Sequence, residues 1–390
     1  MAKKVAVMGG GASGIMASIS AASKGNDVTL FDQKDRVGNK LLLTGNGKCN
    51  FTNTDIDESH YHSFSDEGQT GRVLKAFSKE DTMAFFYRLG LFTKEKNGGI
   101  YPYTDTSATV LSLLKAEMKR LGVKVVTGFR AEEIKDDLNI NGESFDAMIL
   151  ALGGKSFPKT GSDGSGFSML EKLGCRIIKV LPALTPVTVN EDLSGLKGVR
   201  CRAILSLFIN GINVQTASGE LQPYEEGLSG ICAMDISGLA IRALDEKKDV
   251  YVLCDFMPDM DEKELEDYLI RMKDSFPERN ANGLLAGLFA EKLVHYLIHP
   301  LDSRKDSFIR DVVDTVKHHR FEVSPKMCSD FSRAQVVSGG LSFSEVNEKL
   351  MLKAHEGIYV CGELLDIYGD CGGYNLQWAF SSGYVAGKLS

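Results

Sequence analysis

Three absences in the sequence exclude broad classes of protein. No apolar run approaches the roughly 18 residues of a membrane-spanning helix, and no apolar segment of the secretory kind is present. Lys and Arg (45) do not outnumber Asp and Glu (52), and the net charge of −7 argues against a protein that coats nucleic acid. We therefore expect a cytoplasmic protein that binds no membrane and no nucleic acid.

Cysteine pairs and metal-binding clusters are also missing. The eight cysteines are scattered along the chain, and no two of them form a CxxC pair. This spacing favours neither a zinc ribbon nor a thioredoxin-type dithiol, and no His-rich metal constellation is evident. We expect reduced thiols in a reducing compartment, and no bound metal.

The first 32 residues contain a strand, a glycine turn, a helix and a second strand. The turn GGGASG, from Gly9 to Gly14, satisfies GxGxxG. Gly9 allows the tight turn, Gly11 the close approach of a pyrophosphate, and Gly14 the packing of helix on strand. Asp32 closes the second strand, where an acid accepts ribose hydroxyls. The pattern predicts a dinucleotide site, but it does not distinguish FAD from a nicotinamide.

The C-terminal part of the chain favours FAD. Residues 358–361 form an apolar strand that ends at Gly362 and Glu363. In flavoproteins with the glutathione-reductase-like fold, an acid in this place reaches the ribitol chain of FAD. The strand at 148–152, which ends at Gly153, resembles the second glycine motif of the same fold.

The distribution of these motifs predicts how the chain divides. A length of 390 residues suggests two or three domains. Flavin motifs at both ends predict a discontinuous FAD-binding domain made of residues 1–186 and 332–390. Short strands with Asn-Gly turns predict an inserted β-rich domain over 187–260, and amphipathic charged helices predict a helical subdomain over 261–331.

Five blocks of sequence carry a resemblance to a known family. They are GGGASG from Gly9, KLLLTGNGKCNFTN from Lys40, ALGGKSFPKTGSDGSG from Ala151, VVSGGLSFSEVN from Val336 and YVCGELLDIYGDCGGYNLQWAFSSG from Tyr359. Together they resemble the BaiN-type family of bacterial NAD(P)/FAD-dependent oxidoreductases, which includes aminoacetone oxidases. The resemblance implies an α/β fold, with a glutathione-reductase-like FAD-binding Rossmann domain, an inserted β-barrel-like domain and a helical subdomain.

The motifs and the resemblance also imply which residues bind FAD. The helix beginning near Asn375 would direct its N-terminus at the flavin pyrimidine, where reduced flavin carries negative charge. Two departures from the family are Lys48, where Arg is usual, and Cys175, where His is common. The residues expected to bind the cofactor are Gly9, Gly11, Ala12, Ser13, Gly14, Asp32, Gln33, Lys40, Thr44, Gly45, Asn46, Lys48, Cys49, Asn50, Ala151, Gly153, Gly362, Glu363, Gly373, Tyr374, Asn375 and Leu376.

Catalytic side chains are not assigned by the sequence, because a flavin carries out electron transfer itself. Tyr101, Lys48 and Tyr374 are candidates for contacting substrate, and the alternative for each is a core or solvated residue. Cys49 and Cys371 are either redox-active thiols or small packing residues. His60 and His62, in a polar loop, are not expected to take part.

The predicted function is an FAD-dependent oxidoreductase that acts on a small or hydrophobic organic molecule, by amine oxidation or by C=C reduction. The alternatives are an FAD-binding protein of RNA modification or a non-catalytic flavin module. A nicotinamide dehydrogenase is disfavoured by the C-terminal motif. No second GxGxxG opens a helix, so NAD(P)H would bind transiently, or electrons would pass from substrate to O₂. Substrate, electron donor and oligomeric state stay open.

Overall fold

The computed structural model describes residues 2–389. Its strands, in chain order, are β1 Lys4–Met8, β2 Asp27–Asp32, β3 Thr52–Asn53, β4 Tyr61–His62, β5 Thr93–Lys96, β6 Gly99–Pro102, β7 Lys124–Thr127, β8 Asn139–Ile140, β9 Glu143–Ser144, β10 Ala147–Leu150, β11 Ile177–Ala183, β12 Val187–Thr188, β13 Cys201–Ile209, β14 Ile212–Tyr224, β15 Gly227–Ser229, β16 Val250–Asp255, β17 His319–Glu322, β18 Val336–Leu341, β19 Ile358–Val360 and β20 Tyr368–Gly369. Its helices are α1 Ala12–Ala22, α2 Gln69–Ala76, α3 Lys79–Arg88, α4 Ser107–Arg120, α5 Ser165–Lys172, α6 Ile231–Asp245, α7 Glu262–Ser275, α8 Ala281–Leu285, α9 Glu291–Ile298, α10 Phe308–Lys317 and α11 Tyr374–Gly387.

The chain forms two compact units. The first runs up to Leu181 and resumes at Ala334, and the second covers Pro182–Arg333. Short 3₁₀ turns connect several elements, including Leu41–Gly47 in the first unit. Among residues 2–389, no helix is both long and apolar enough to cross a membrane.

A parallel five-stranded sheet forms the centre of the first unit. Its strand order is β19-β10-β1-β2-β7, and each neighbouring pair is parallel. Strands β1 and β10 are buried almost throughout, which agrees with their unbroken apolar sequence, since a parallel sheet is covered on both faces. The predicted α/β class with a parallel sheet is confirmed, and the strand–turn–helix–strand order of the first 32 residues is as expected.

Glycines in the last helix allow it to lie close to the first. A Cβ at Gly383 would overlap the carbonyl oxygen of Ser13, and a Cβ at Gly387 would overlap that of Ala17. The hydroxyl of Ser20 donates a hydrogen bond of 2.8 Å to the carbonyl oxygen of Tyr384. The C-terminal segment therefore packs on the glycine-turn helix with backbone close to backbone, and the two ends of the chain share one core.

The second unit is built on an antiparallel sheet that closes on itself. The strand order is β12-β15-β14-β13-β16-β17, and the β13–β14 hairpin turns at Asn210-Gly211 as its sequence predicts. Just beyond β12 and β17, Asn190 N donates to Glu322 O at 3.0 Å, and Ser324 N donates to Thr188 O at 2.8 Å. These bonds join the first strand to the last, so the sheet forms a small barrel.

One strand in this barrel lies where the sequence predicts only helices. β17 falls within the 261–331 segment, yet it pairs with β16 of the preceding segment. Helices α7 to α10 precede the strand in that segment. The β-rich and helical segments therefore share one sheet. The sequence did not predict this strand, because four residues whose partner lies far away in sequence form too short a pattern to recognise.

We predict that Gly383→Ala lowers the free energy of unfolding by about 1–3 kcal/mol, because the added methyl group would force α1 and α11 apart. Urea denaturation followed by circular dichroism measures this loss. Gly195→Ala is the matched control, since no described atom lies within 4 Å of its added methyl group. Equal midpoints for the two variants would contradict the close-packed helix pair.

Candidate functional site

A pocket lies at the carboxyl ends of β1, β2 and β10. Such a position, outside the strand ends of a parallel sheet, is where this kind of fold binds ligands. Of the residues predicted to hold a cofactor, the pocket brings together Gly9, Gly11, Asp32, Gln33, Lys40, Ala151 and Gly153. Its lining also includes residues that the sequence analysis did not assign to the cofactor, among them Asn39, Phe129, Arg130, Leu152, Thr160, Gly161, Ser162, Ser165 and Met169.

The three motif glycines have different reasons for being glycine. Gly9 has a φ of 108°, and a Cβ there would overlap the carbonyl oxygen of Ala151. A Cβ at Gly14 would overlap the carbonyl oxygen of Gly9. Gly11 has an ordinary φ of −78°, and no described atom lies within 4 Å of the position its Cβ would take. The fold therefore requires Gly9 and Gly14, whereas Gly11 leaves open space that fits a ligand.

The start of α1 faces this space with its backbone donors available. No side chain among residues 2–389 caps the helix at Gly11, and its first turn contains no acidic residue. An uncapped N-terminus presents free N–H groups and partial positive charge, which suit an anion such as a pyrophosphate. Within the same pocket, the buried Oγ of Ser162 has no hydrogen-bond partner in the described chain. These features fit the pyrophosphate of a dinucleotide.

Asp32 lies at the edge of the pocket and is held by backbone donors. Its Oδ2 accepts from Gly10 N and its Oδ1 from Lys34 N, both at 2.7 Å. Burial raises the pKa of the Asp32 carboxyl, although the hydrogen bonds from Lys34 and Gly10 and the charge of Lys34 oppose the rise. Each oxygen keeps further acceptor capacity, so the fixed carboxylate suits a ribose hydroxyl.

Arg130 contributes a cation that the sequence did not reveal. Its Nη1 donates to Oε1 of Gln33 at 3.0 Å, and its Nη2 lies 3.0 Å from Oδ2 of Asp163. The Gln33 amide in turn donates to Gly161 O at 2.7 Å. Arg130 follows no motif, and only the fold places it beside β2.

Glu363 lies at the centre of a polar cluster formed from distant parts of the chain. Its Oε2 is 2.6 Å from Nζ of Lys40, and its Oε1 accepts from Val337 N at 3.1 Å. Lys40 also donates to Oγ of Ser156 at 2.7 Å. Gly362, with a φ of 73°, is packed so closely that a Cβ would overlap Oγ of Ser13. The predicted ribitol-binding acid is thus fixed beside the start of α1.

The loop that follows Lys40 packs against the turn that opens α11. Asn53 Nδ2 donates to Gly372 O at 2.8 Å, and Thr52 Oγ1 donates to Oε1 of Gln377 at 2.7 Å. The position of a Cβ on Gly373 is 2.8 Å from Oδ1 of Asn50, a buried acceptor with no partner in the described chain. A glycine is therefore required where the loop and the turn meet.

The other loop residues predicted to bind the cofactor, at positions 44–49, differ in backbone conformation, hydrogen bonding and exposure. Gly45, Asn46 and Cys49 have left-handed backbone, with φ of 56°, 53° and 59°. The hydroxyl of Thr44 donates a hydrogen bond of 2.7 Å to the carbonyl oxygen of Leu41. Lys48 is exposed, near Asp105 and outside the pocket.

The start of α11 resembles that of α1. Gly373 is its N-cap, no side chain in the described range caps it, and its first turn has no acidic residue. The Asn375 amide braces β20, with Oδ1 accepting from Gly369 N at 2.8 Å and Nδ2 donating to Gly369 O at 2.7 Å. Leu376 packs partly buried against the core, and Ala12 does the same at the other helix start.

The side chains considered for contact with substrate or for redox chemistry differ in burial and in pKa. Burial raises the pKa of Tyr101, against a hydrogen bond from Asn50 that lowers it. Cys49 is fully buried, and burial raises the pKa of its thiol to about 12, which disfavours the reactive thiolate. No disulfide joins the eight cysteines, all of which lie within residues 2–389. Tyr374 is buried at the first position of α11.

The sequence analysis missed a cluster of titratable side chains. Asp370 bridges His60 and His62, and His60 stacks on Tyr374 with ring centroids 4.4 Å apart. A His-x-His pattern in a polar loop was the only local signal, and Asp370 lies 310 residues from His60. Among the described residues, no group of side chains is suited to hold a metal ion.

Known proteins resemble the chain from end to end. The model of the HI0933-like protein Rossmann domain matches residues 3–389. A 3-dehydro-bile acid delta(4,6)-reductase from Clostridium scindens is 36% identical, over 99% of this chain and 98% of the relative. A ribosomal RNA dihydrouridine synthase from Haemophilus influenzae is 26% identical, over 97% and 96%. A solved 3-ketosteroid delta1-dehydrogenase from Sterolibacterium denitrificans aligns with a TM-score of 0.49 at 12% identity, over 99% and 98%.

These matches confirm the resemblance to BaiN-type flavoproteins and the prediction of a flavin-dependent oxidoreductase. The family model covers almost the whole of the chain, including the inserted unit. The chain belongs to the HI0933-like Rossmann family.

Proposed function

We propose that this protein is an FAD-dependent reductase of a carbon–carbon double bond conjugated to a ketone, in a hydrophobic polycyclic substrate, with NAD(P)H as electron donor. The observation that carries the proposal is the 36% identity, along 99% of the chain, to a 3-dehydro-bile acid delta(4,6)-reductase. Of the two reactions that the sequence left open, amine oxidation and C=C reduction, this relative favours the second.

The residues of the pocket suit the adenosine and pyrophosphate parts of FAD. The uncapped start of α1 would bind the pyrophosphate over Gly11, and Asp32 would accept ribose hydroxyls. Glu363, held by Lys40, would contact the ribitol chain. When bound, FAD supplies the capacity to accept and donate a hydride, which no side chain of the protein has.

The start of α11 would stabilise negative charge on the reduced cofactor. The partial positive charge of this uncapped helix start lies next to the loop that contains Asn50. Backbone donors fixed by a folded helix need little reorganisation when charge develops. This arrangement favours a flavin that holds electrons until the acceptor arrives.

RNA modification is the second candidate, because a ribosomal RNA dihydrouridine synthase is 26% identical over 97% of the chain. Dihydrouridine is uridine with hydrogen added across a ring double bond, so the names of both relatives imply the reduction of a C=C bond. The net charge of −7 disfavours a large RNA substrate, since phosphate binding needs an excess of cations. The small-molecule substrate is therefore preferred.

Gly11→Val is expected to abolish FAD retention, because the branched side chain would fill the space where backbone meets pyrophosphate. Flavin absorbance after purification measures retention. The variant and the cofactor-free wild type should unfold at the same urea midpoint, since the added side chain extends into open space. A normal flavin content would contradict the placement of the pyrophosphate.

Asp32→Ala is expected to weaken FAD binding by about 1–3 kcal/mol, the usual cost of losing a charge-assisted hydrogen bond. Titration of the cofactor-free protein with FAD, followed by fluorescence quenching, gives the affinity. Asp27→Ala is the control, because this exposed acid lies at the other end of the same strand. Equal affinities for the two variants would remove Asp32 from the site.

The reaction itself is tested with the FAD-loaded protein under anaerobic conditions. NADH or NADPH should bleach the flavin, and a 3-keto steroid acid with a conjugated double bond should restore its colour and be converted to the saturated ketone. The saturated ketone and a uridine-containing ribosomal RNA fragment are the comparison acceptors. Colour restored by the RNA and not by the steroid would contradict the proposal and favour RNA modification.

A further inference from the structure

Two imidazoles share one carboxylate in the first unit. Nδ1 of His60 lies 3.0 Å from Oδ2 of Asp370, and Nε2 of His62 lies 2.6 Å from Oδ1 of the same residue. Since a carboxylate only accepts, each imidazole donates its N–H to Asp370. This fixes the tautomer of neutral His60, so that Nε2 is the nitrogen that gains and loses a proton.

The surrounding backbone and aromatic rings hold this array in place. Strands β4 and β20 pair with Tyr368 opposite His62, and Asp370 N donates to His60 O at 2.9 Å. The His60 ring stacks on Tyr374 at 4.4 Å, and the His62 ring stacks on Tyr368 at 4.9 Å. The two rings are therefore oriented by stacking and by hydrogen bonds together.

The array lies against the residue that opens α11, directly after the Gly372-Gly373 turn. Three other titratable groups near that turn are shifted away from neutrality. Burial raises the pKa of Cys49 to about 12 and raises the pKa values of Tyr61 and Tyr101 as well. His60 and His62 are imidazoles, whose ordinary titration range is close to neutrality, and of the two it is His60 that stacks on Tyr374.

We propose that His60 supplies the proton consumed in the reduction proposed above, with Asp370 as the positioning residue that holds the imidazole against Tyr374. The inference rests on the proposed function. Reduction of the conjugated double bond adds a hydride, from the reduced flavin, to one carbon and a proton to the other. The N–H bond at Nε2 of His60 breaks as the C–H bond forms, and water returns a proton to the neutral imidazole.

The charges around His60 suit this role. Burial by itself would lower the pKa of His60, but Asp370 and the exposed Asp55, 3.4 Å from Nε2, outweigh it and raise the pKa above its usual range. Asp57 and Tyr374 also face the ring. A raised pKa extends the pH range in which the imidazole holds its proton, so a step that uses this proton slows as pH rises through that pKa.

The variants His60→Gln and Asp370→Asn test the inference in the FAD-loaded protein. After anaerobic reduction, stopped-flow absorbance follows reoxidation by the conjugated steroid ketone and by ferricyanide, which takes electrons without a proton. We expect His60→Gln to slow steroid reoxidation about 100-fold or more, to flatten its pH profile, and to leave ferricyanide reoxidation unchanged. His318→Gln, which removes a histidine paired with Glu262 in the second unit, is the matched control and should behave as wild type.

Histidine NMR titration gives a readout that does not depend on turnover. Asp370→Asn should lower the apparent pKa of His60 and slow steroid reoxidation, with flavin content unchanged. An unchanged pKa in that variant, or equal steroid reoxidation by His60→Gln and wild type, overturns the role of His60. If the steroid fails to reoxidise the wild-type flavin, the proposed function is overturned, and this inference with it. If the wild type is reoxidised and His60→Gln is reoxidised equally fast, only the role of His60 is overturned.

Discussion

The first unit depends on backbone packed directly on backbone at the start of α1. Gly14 lies against the carbonyl oxygen of Gly9, Gly9 against that of Ala151, and Gly383 of α11 against that of Ser13. No side chain larger than hydrogen fits between these segments. The glycine turn is therefore rigid before any ligand binds, and a preorganised turn loses little entropy when it binds one.

This packing decides where the functional residues of the C-terminal segment lie. Because α11 is fixed against α1, the segment from Gly362 to Tyr374 returns to the strand ends where the glycine turn begins. Gly362 packs on Ser13, and Glu363 meets Lys40 across 323 residues of sequence. The long insertion leaves this arrangement intact, since the two ends of the chain form a single core of their own.

The resulting site is suited to groups that carry negative charge. Two helices, α1 and α11, start at glycine N-caps with no acidic residue in their first turns. The acids nearby are each tied to donors, as Asp32 is to backbone N–H groups and Glu363 to Lys40. In the proposed function, the two helix starts favour an anion, the fixed carboxylates accept from hydroxyl groups, and His60, held by Asp370, supplies a proton.

The sequence by itself determined the local elements of this protein and the ligand class that they suit. The GxGxxG turn, the strands and helices of the first 32 residues, and the Asn210-Gly211 hairpin depend on the conformations of neighbouring residues, so short patterns predict them. Tertiary structure decided what joins distant segments: the closure of the barrel through β17, the position of Arg130 beside Gln33, and the placement of Asp370 between His60 and His62. A hydrogen bond across 310 residues leaves no periodicity or spacing in the sequence, because folding of the intervening chain alone brings its two partners together.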